Sequence, residues 1–218
     1  MIDYIIERST KRKSLGIIVD HNGCVTVRAS VYHSVKDINE FVERKSDWIG
    51  NKVRLARERL KFVPVFKENS TVTILGKDYV VRFDYLSKRA YFDERFLVLP
   101  ATNAKKELFR LLKEAVYTYA ERKIFLFSVG FGFESGVISV KDSKSYWGLC
   151  HMNNSLVFNY KLAFVPLCAA DYVIMHELCH TKAFNHGKRF YALLGKLMPD
   201  YRERKSILSD YDAICKCL

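Results

Sequence analysis

No apolar run in this 218-residue chain is long enough to cross a bilayer. The longest, residues 124–133, is interrupted by Ser128, Gly130 and Gly132 and falls well short of the ~20 residues a span needs, so no membrane span is expected. The start, Met1-Ile-Asp-Tyr-Ile-Ile-Glu-Arg, lacks the charged-then-apolar layout of a secretory signal and runs into strongly basic residues, which points to a cytoplasmic protein. Six cysteines, at 24, 150, 168, 179, 215 and 217, show no paired zinc-ribbon spacing. In the cytoplasm they should be reduced and act as small apolar core residues. Internal repeats, low-complexity segments and helix-turn-helix or zinc-finger patterns are also missing. Carboxylates are scarce: 24 Asp and Glu stand against 36 Lys and Arg, a net charge of +12, with dense basic runs at 8–13, 52–61 and 202–205. Nucleic acid, a nucleotide or an acidic protein surface would each suit that balance, as would a merely solvated basic face.

A hydrophobic content of 49% is ample for a packed core in one large or two small domains. Two β-rich runs in residues 15–29 flank His21-Asn22-Gly23, and Asn-Gly signals a hairpin. From 35 to about 61, Ile38, Phe41, Val42, Trp48, Ile49, Val53 and Leu60 recur at helical spacing, which predicts one long amphipathic helix with a basic outer face. Short strands are expected at 71–75, 78–83 and 90–99, closing an N-terminal α+β region, residues 1–100, near Pro100. Asn103 is placed to cap a second long helix to about Phe127. Strand-like runs at 136–140, 146–151 and 156–160 follow, then Pro166, a helix through 176–180, a short helix over 188–198 and a last basic helix over 201–214. A helix, a small mostly antiparallel sheet and a ligand-bearing helix are the minimum zincin scaffold, so residues 101–218 are expected to form an α+β, zincin-like catalytic domain whose sheet edge can hold an extended substrate.

That ligand-bearing helix carries His176-Glu-Leu-Cys-His-Thr-Lys-Ala-Phe-Asn-His186. His176 and His180 are four apart, so on a helix their imidazoles leave one face a turn apart, close enough to share an ion. Glu177 sits at the edge of that face, where a carboxylate can act as general base toward a metal-activated water. Asn185-His186-Gly187 tolerates a sharp turn, with Asn185 a candidate to make it, and would swing His186 back as third ligand. Three histidines with one open position favour catalysis over a closed structural site, and zinc over nickel, cobalt or manganese in the same geometry. Glu203 is the alternative third ligand. A helix with incidental histidines is the competing reading, and the apolar stretch 171–175 before the motif weighs against it.

Residues 145–151 gather Tyr146, Trp147, Gly148, Cys150 and His151 on one predicted strand that is expected to line the cleft. His151 and Tyr191 are candidates to stabilise an oxyanion. Trp147 is expected to pack under the metal helix, and Cys150 and Cys179 to be core residues rather than ligands. Lys188 and Arg189 suit acidic substrate groups or an exposed face.

Together these motifs resemble the YgjP-like metallopeptidase family, a minimal zincin group related to SprT-like and WLM domains, over nearly the whole chain. The family's tryptophan-glycine-serine-cysteine strand appears as Trp147-Gly148-Leu149-Cys150, its Leu-Asn-Trp strand as Phe158-Asn159-Tyr160 and its apolar-Pro step as Val165-Pro166. The metal motif falls on His176-Glu177-Leu178-Cys179-His180, the third ligand on Asn185-His186 and a Phe-Trp pair on Phe190-Tyr191, followed by Pro199-Asp200-Tyr201. Weaker similarity reaches residues 8–13, 25–29 and 75–77. Leu149, Tyr160 and Tyr191 depart from the pattern, but none is a ligand or the base. The resemblance implies a zinc-dependent hydrolase, a metallopeptidase acting on peptide or protein. A phosphorylated substrate such as a nucleotide, or a basic module associated with nucleic acid, are the alternatives the charge balance keeps open.

Overall fold

The computed structural model describes residues 2–218, and the chain divides into two compact units, the first ending at Val63 and the second Pro64–Leu218. In the first unit, β1 (Ile5–Ser9), β2 (Gly16–Val19) and β3 (Val25–Ser30) form a sheet in the order β1-β3-β2. The expected hairpin is β2–β3, closed by Gly23 at φ +84 and by Asp20, whose carboxylate accepts from the N–H groups of Asn22 and Cys24 at 2.9 and 2.8 Å. Strand β1 lies parallel to β3 on the other side. The expected long helix is two, α1 (Val35–Arg44) and α2 (Ser46–Arg59), hinged at Lys45. The bend has a packing cause: Ile38 and Val42 of α1 and Ile49 of α2 share one cluster with Val25, Val27 and Ala29 of β3, and folding the second helix back brings both apolar faces to the same sheet.

The second unit contains two more sheets. β4 (Thr71–Ile74), β5 (Lys77–Asp84), β6 (Tyr91–Phe92) and β7 (Phe96–Pro100) are ordered β4-β5-β7-β6. The β4–β5 turn places both Leu75 and Gly76 in the left-handed region, as a two-residue hairpin demands. A side chain on Gly76 would come within 3.0 Å of Leu167, so the turn seats directly on the first residue of the helix that carries His176 and His180. The helix α3 (Ala104–Phe131) stops at Gly132, φ +64. Asn103 does not cap it: its backbone is left-handed and its side chain makes no cap bond. β8 (Ile138–Lys141), β9 (Gly148–Cys150) and β10 (Leu156–Asn159) form the third sheet, ordered β8-β10-β9. It is mixed rather than mostly antiparallel, since β8 runs parallel to β10 and β9 antiparallel. Each of the three sheets contains one parallel pair; residue patterns mark where strands lie, but direction is set by which strand a connection reaches.

A buried 3-10 turn, Tyr160–Phe164, leads into α4 (Leu167–His180), followed by α5 (Lys188–Leu197), α6 (Tyr201–Asp210) and α7 (Asp212–Cys217). The last helix is thus split at Tyr211. Two ties hold this frame. Asp171 of α4 accepts from Tyr119 Oη at 2.5 Å and Lys123 Nζ at 2.7 Å, both on α3, fixing how α4 is rotated. Lys161 is 0% exposed, and its ammonium reaches Asp142 at 2.9 Å and the Cys215 carbonyl at 3.0 Å, pinning α7 beside β10. Lys161→Ala should lower stability by about 2–4 kcal/mol, because it leaves a void and an unpaired buried carbonyl; urea unfolding measures it, and an unchanged midpoint would contradict this role. No helix among the described residues is long and apolar enough to cross a membrane.

Candidate metal centre

Helix α4 is buried along most of its length, with Ala169, Ala170, Tyr172–Met175 and Glu177–Cys179 in the core, so the partly exposed His176 and His180 mark where it meets the cleft. Their rings stand one turn apart with centroids at 4.9 Å. His180 is the last helical residue. Beyond it the chain is turned by bonds from Thr181 N to the Leu178 carbonyl (3.0 Å) and from Ala183 N to the Cys179 carbonyl (2.9 Å). None of residues 181–187 adopts a left-handed backbone, so the turn is not made at Asn185 in that way. Instead the Gly187 N–H closes on the Asn185 carbonyl at 2.7 Å, a three-residue turn with His186 at its centre. This returns the His186 ring to within 4.9 and 4.7 Å of the His176 and His180 rings, centroid to centroid. Phe190, fully buried on α5, lies against all three, at 4.9, 4.5 and 4.8 Å. It forms the floor.

One donor atom from each histidine lies within 4.8 Å of the others, and this group can hold a metal ion. The arrangement fits such an ion chemically. His176 Nε2 and His186 Nε2 face each other at 2.9 Å, near the ~3.3 Å that two nitrogens adopt about a tetrahedral zinc at ~2.0–2.1 Å. At this distance two ring nitrogens can share a proton or a cation, and with the His180 donor beside them the three can hold a cation. The Ala183 carbonyl, which can only accept, lies 3.2 Å from His180 Nδ1 and so places a proton there, and the Tyr172 hydroxyl lies 3.4 Å from His176 Nδ1, where it can accept an N–H. With Nδ1 protonated each ring turns an Nε2 lone pair toward a shared ion, the orientation that outer partners commonly impose on ligating histidines. Burial, then the neighbouring imidazoles and Lys205, push the His176 pKa down to about 3. Burial also lowers that of His180. Both rings are therefore held in the neutral form that ligates metals.

Glu177 follows His176 and precedes His180 by three, on the flank of the histidine face. It is only 6% exposed and packs against β9. There Gly148 approaches so closely that a Cβ would sit 2.6 Å from Glu177 Cγ, 2.8 Å from its Oε1 and 2.9 Å from Val173 Cγ1. Burial, partly offset by the Cys150 backbone N–H, pushes the Glu177 carboxyl up to about 8, in the range where a general base works near neutral pH.

The remaining candidates separate. Tyr191 is brought near, its ring 6.2 Å from His186 and stacked on Tyr201 at 6.0 Å. His151 is exposed beyond the end of β9 and lines a different, shallow groove with Val137, Ser139 and Met152. Glu203, Cys150 and Cys179 are outside the donor group. Trp147 donates its indole N–H to Asp212 of α7 at 3.2 Å. Tyr172 was readable from its place one helical turn before His176. The contact of Gly148 with Glu177 joins distant parts of the chain and has only a weak local sign, a glycine inside a strand.

A model of the YgjP-like metallopeptidase domain matches residues 13–211. The chain belongs to the YgjP-like family. The matched span takes in α4, the histidine cluster, Glu177 and the β8–β10 sheet, so the geometry above is that of a YgjP-like metallopeptidase domain. Comparisons with curated proteins and with solved structures gave no match.

Proposed function

We propose that this chain is a zinc-dependent peptidase of the cytoplasm, where its thiols stay reduced, with catalysis assigned to residues 101–218. The observation that carries the reading is the convergence of His176, His180 and His186 beside a buried Glu177 in a YgjP-like chain. The three imidazoles would hold the ion, with Ala183 and Tyr172 orienting two of them. Zinc bound there would polarise a substrate carbonyl and lower the pKa of a coordinated water to near neutrality. Glu177 is the general base. One of its carboxylate oxygens is steadied by the Cys150 N–H, leaving the other to take a proton and return it to the leaving amine. The buried setting that raises its pKa also excludes bulk water from that exchange. β9 is an edge strand of its sheet, and an extended peptide laid along it would gain backbone pairing next to α4.

The test is digestion of a mixed peptide pool by zinc-loaded protein. Cleavage is expected, with loss on chelation and return on adding zinc. Turnover of nucleoside triphosphates with every peptide left intact would instead support a phosphorylated substrate.

A further inference from the structure

Beside His186 opens a pocket of about 760 Å³ bounded by Gly187, Lys188, Tyr191, Ala192, Tyr201 and Arg202. Its lining holds two cations and no carboxylate. Neither Lys188 nor Arg202 forms an ion pair among the described residues, whereas Arg204, on the same helix as Arg202, is tied to Asp200 at 2.8 Å. Arg202 is nevertheless held in place: its Nε donates to Tyr201 Oη at 3.1 Å and its guanidinium lies 5.7 Å from the centre of that ring. Its terminal nitrogens stay free to make charge-assisted bonds. The stacked pair Tyr191–Tyr201 supplies an apolar wall with polar rims. Lys188 begins α5, a ten-residue helix whose N-cap, Gly187, has no capping side chain, so the helix end adds to the positive field at the pocket mouth.

We propose that this pocket is a carboxylate-binding subsite, in which Lys188 and Arg202 take an acidic group of a peptide lying across the histidine cluster while Tyr191 and Tyr201 pack against its aliphatic stem. This rests on the peptidase reading and names its substrate class: peptides with Asp or Glu close to the scissile bond, or with a terminal carboxylate there. The absence of acidic residues from the pocket lining excludes the repulsion that would otherwise discriminate against such substrates.

The test measures binding, not turnover, on the zinc-loaded Glu177→Gln protein. Fluorescent, C-terminally amidated decapeptides carry one Glu walked along an otherwise neutral sequence, each paired with its Gln twin; a further Gln peptide ends in a free carboxylate. Fluorescence anisotropy at low salt should show the best Glu peptide binding roughly three- to ten-fold more tightly than its twin. The gap should close in Lys188→Gln/Arg202→Gln protein, chiefly through lost affinity for the Glu peptide. A gain that follows the free terminus instead of the internal Glu assigns the same subsite to terminal carboxylates. Equal binding of the twins, or a preference that survives the double substitution, overturns the proposal. Wild-type protein incubated with the same peptides separates the two readings: a Glu preference without cleavage keeps the subsite and removes the peptidase.

Discussion

Glu177→Gln should lower peptide turnover by roughly 10²- to 10⁴-fold, the usual contribution of a positioned general base, and leave the metal content unchanged. Glutamine has nearly the same shape, fits under Gly148, and its amide oxygen can still accept from the Cys150 N–H. What it loses is the ability to take a proton. The ion should stay, because the donor group consists of three imidazoles. The variant should also melt no lower than wild type, since the site penalises an ionised carboxylate by burial and glutamine is neutral. Turnover rates, metal content and melting together separate loss of the base from loss of the fold. Wild-type turnover in a fully folded variant would remove Glu177 from the mechanism.

Gly148→Ala should cost about 1–3 kcal/mol of stability, as overpacking of a filled interior does, and roughly 10²-fold in activity if Glu177 is displaced by about an ångström. The cause is space, not backbone conformation: Gly148 is not left-handed, but the new methyl would meet Glu177 Cγ, Glu177 Oε1 and Val173 Cγ1, all closer than 3.0 Å. Either Glu177 leaves its rotamer or β9 lifts away from α4. A double-mutant cycle with Glu177→Ala isolates the contact. The glycine substitution should destabilise the Glu177→Ala background less than wild type, with Val173 accounting for what remains. Equal costs in both backgrounds would show that Gly148 does not position the carboxylate.

The parts of this molecule that were legible in its sequence are those with local periodicity. The four-residue spacing of His176 and His180 required a helix, and the apolar residues before it required a buried one. The Asn-Gly between two β-rich runs predicted the β2–β3 hairpin. His186 was identified as a donor, yet the means of bringing it back was not, because a turn built from backbone hydrogen bonds without a left-handed residue has no side-chain signature. The break at Lys45 was hidden by a continuous helical pattern; it arises from the shared demand of Ile38, Val42 and Ile49 for one core. Parallel pairing of β8 with β10, and the contact of Gly148 with Glu177, depend on residues far apart in the chain. Asn103 shows the opposite error, a residue of capping type whose own backbone turns left-handed and forgoes the cap bond.

The central claim is that His176, His180 and His186 together hold one catalytic ion. Elemental analysis of zinc-loaded, desalted protein tests it most directly, comparing wild type with His186→Ala, which removes the exposed ligand and leaves α4 untouched. One equivalent of zinc in wild type, lost from a His186→Ala variant of unchanged circular dichroism, is the predicted result. Equal zinc in the two proteins, or none in wild type after loading, would contradict it.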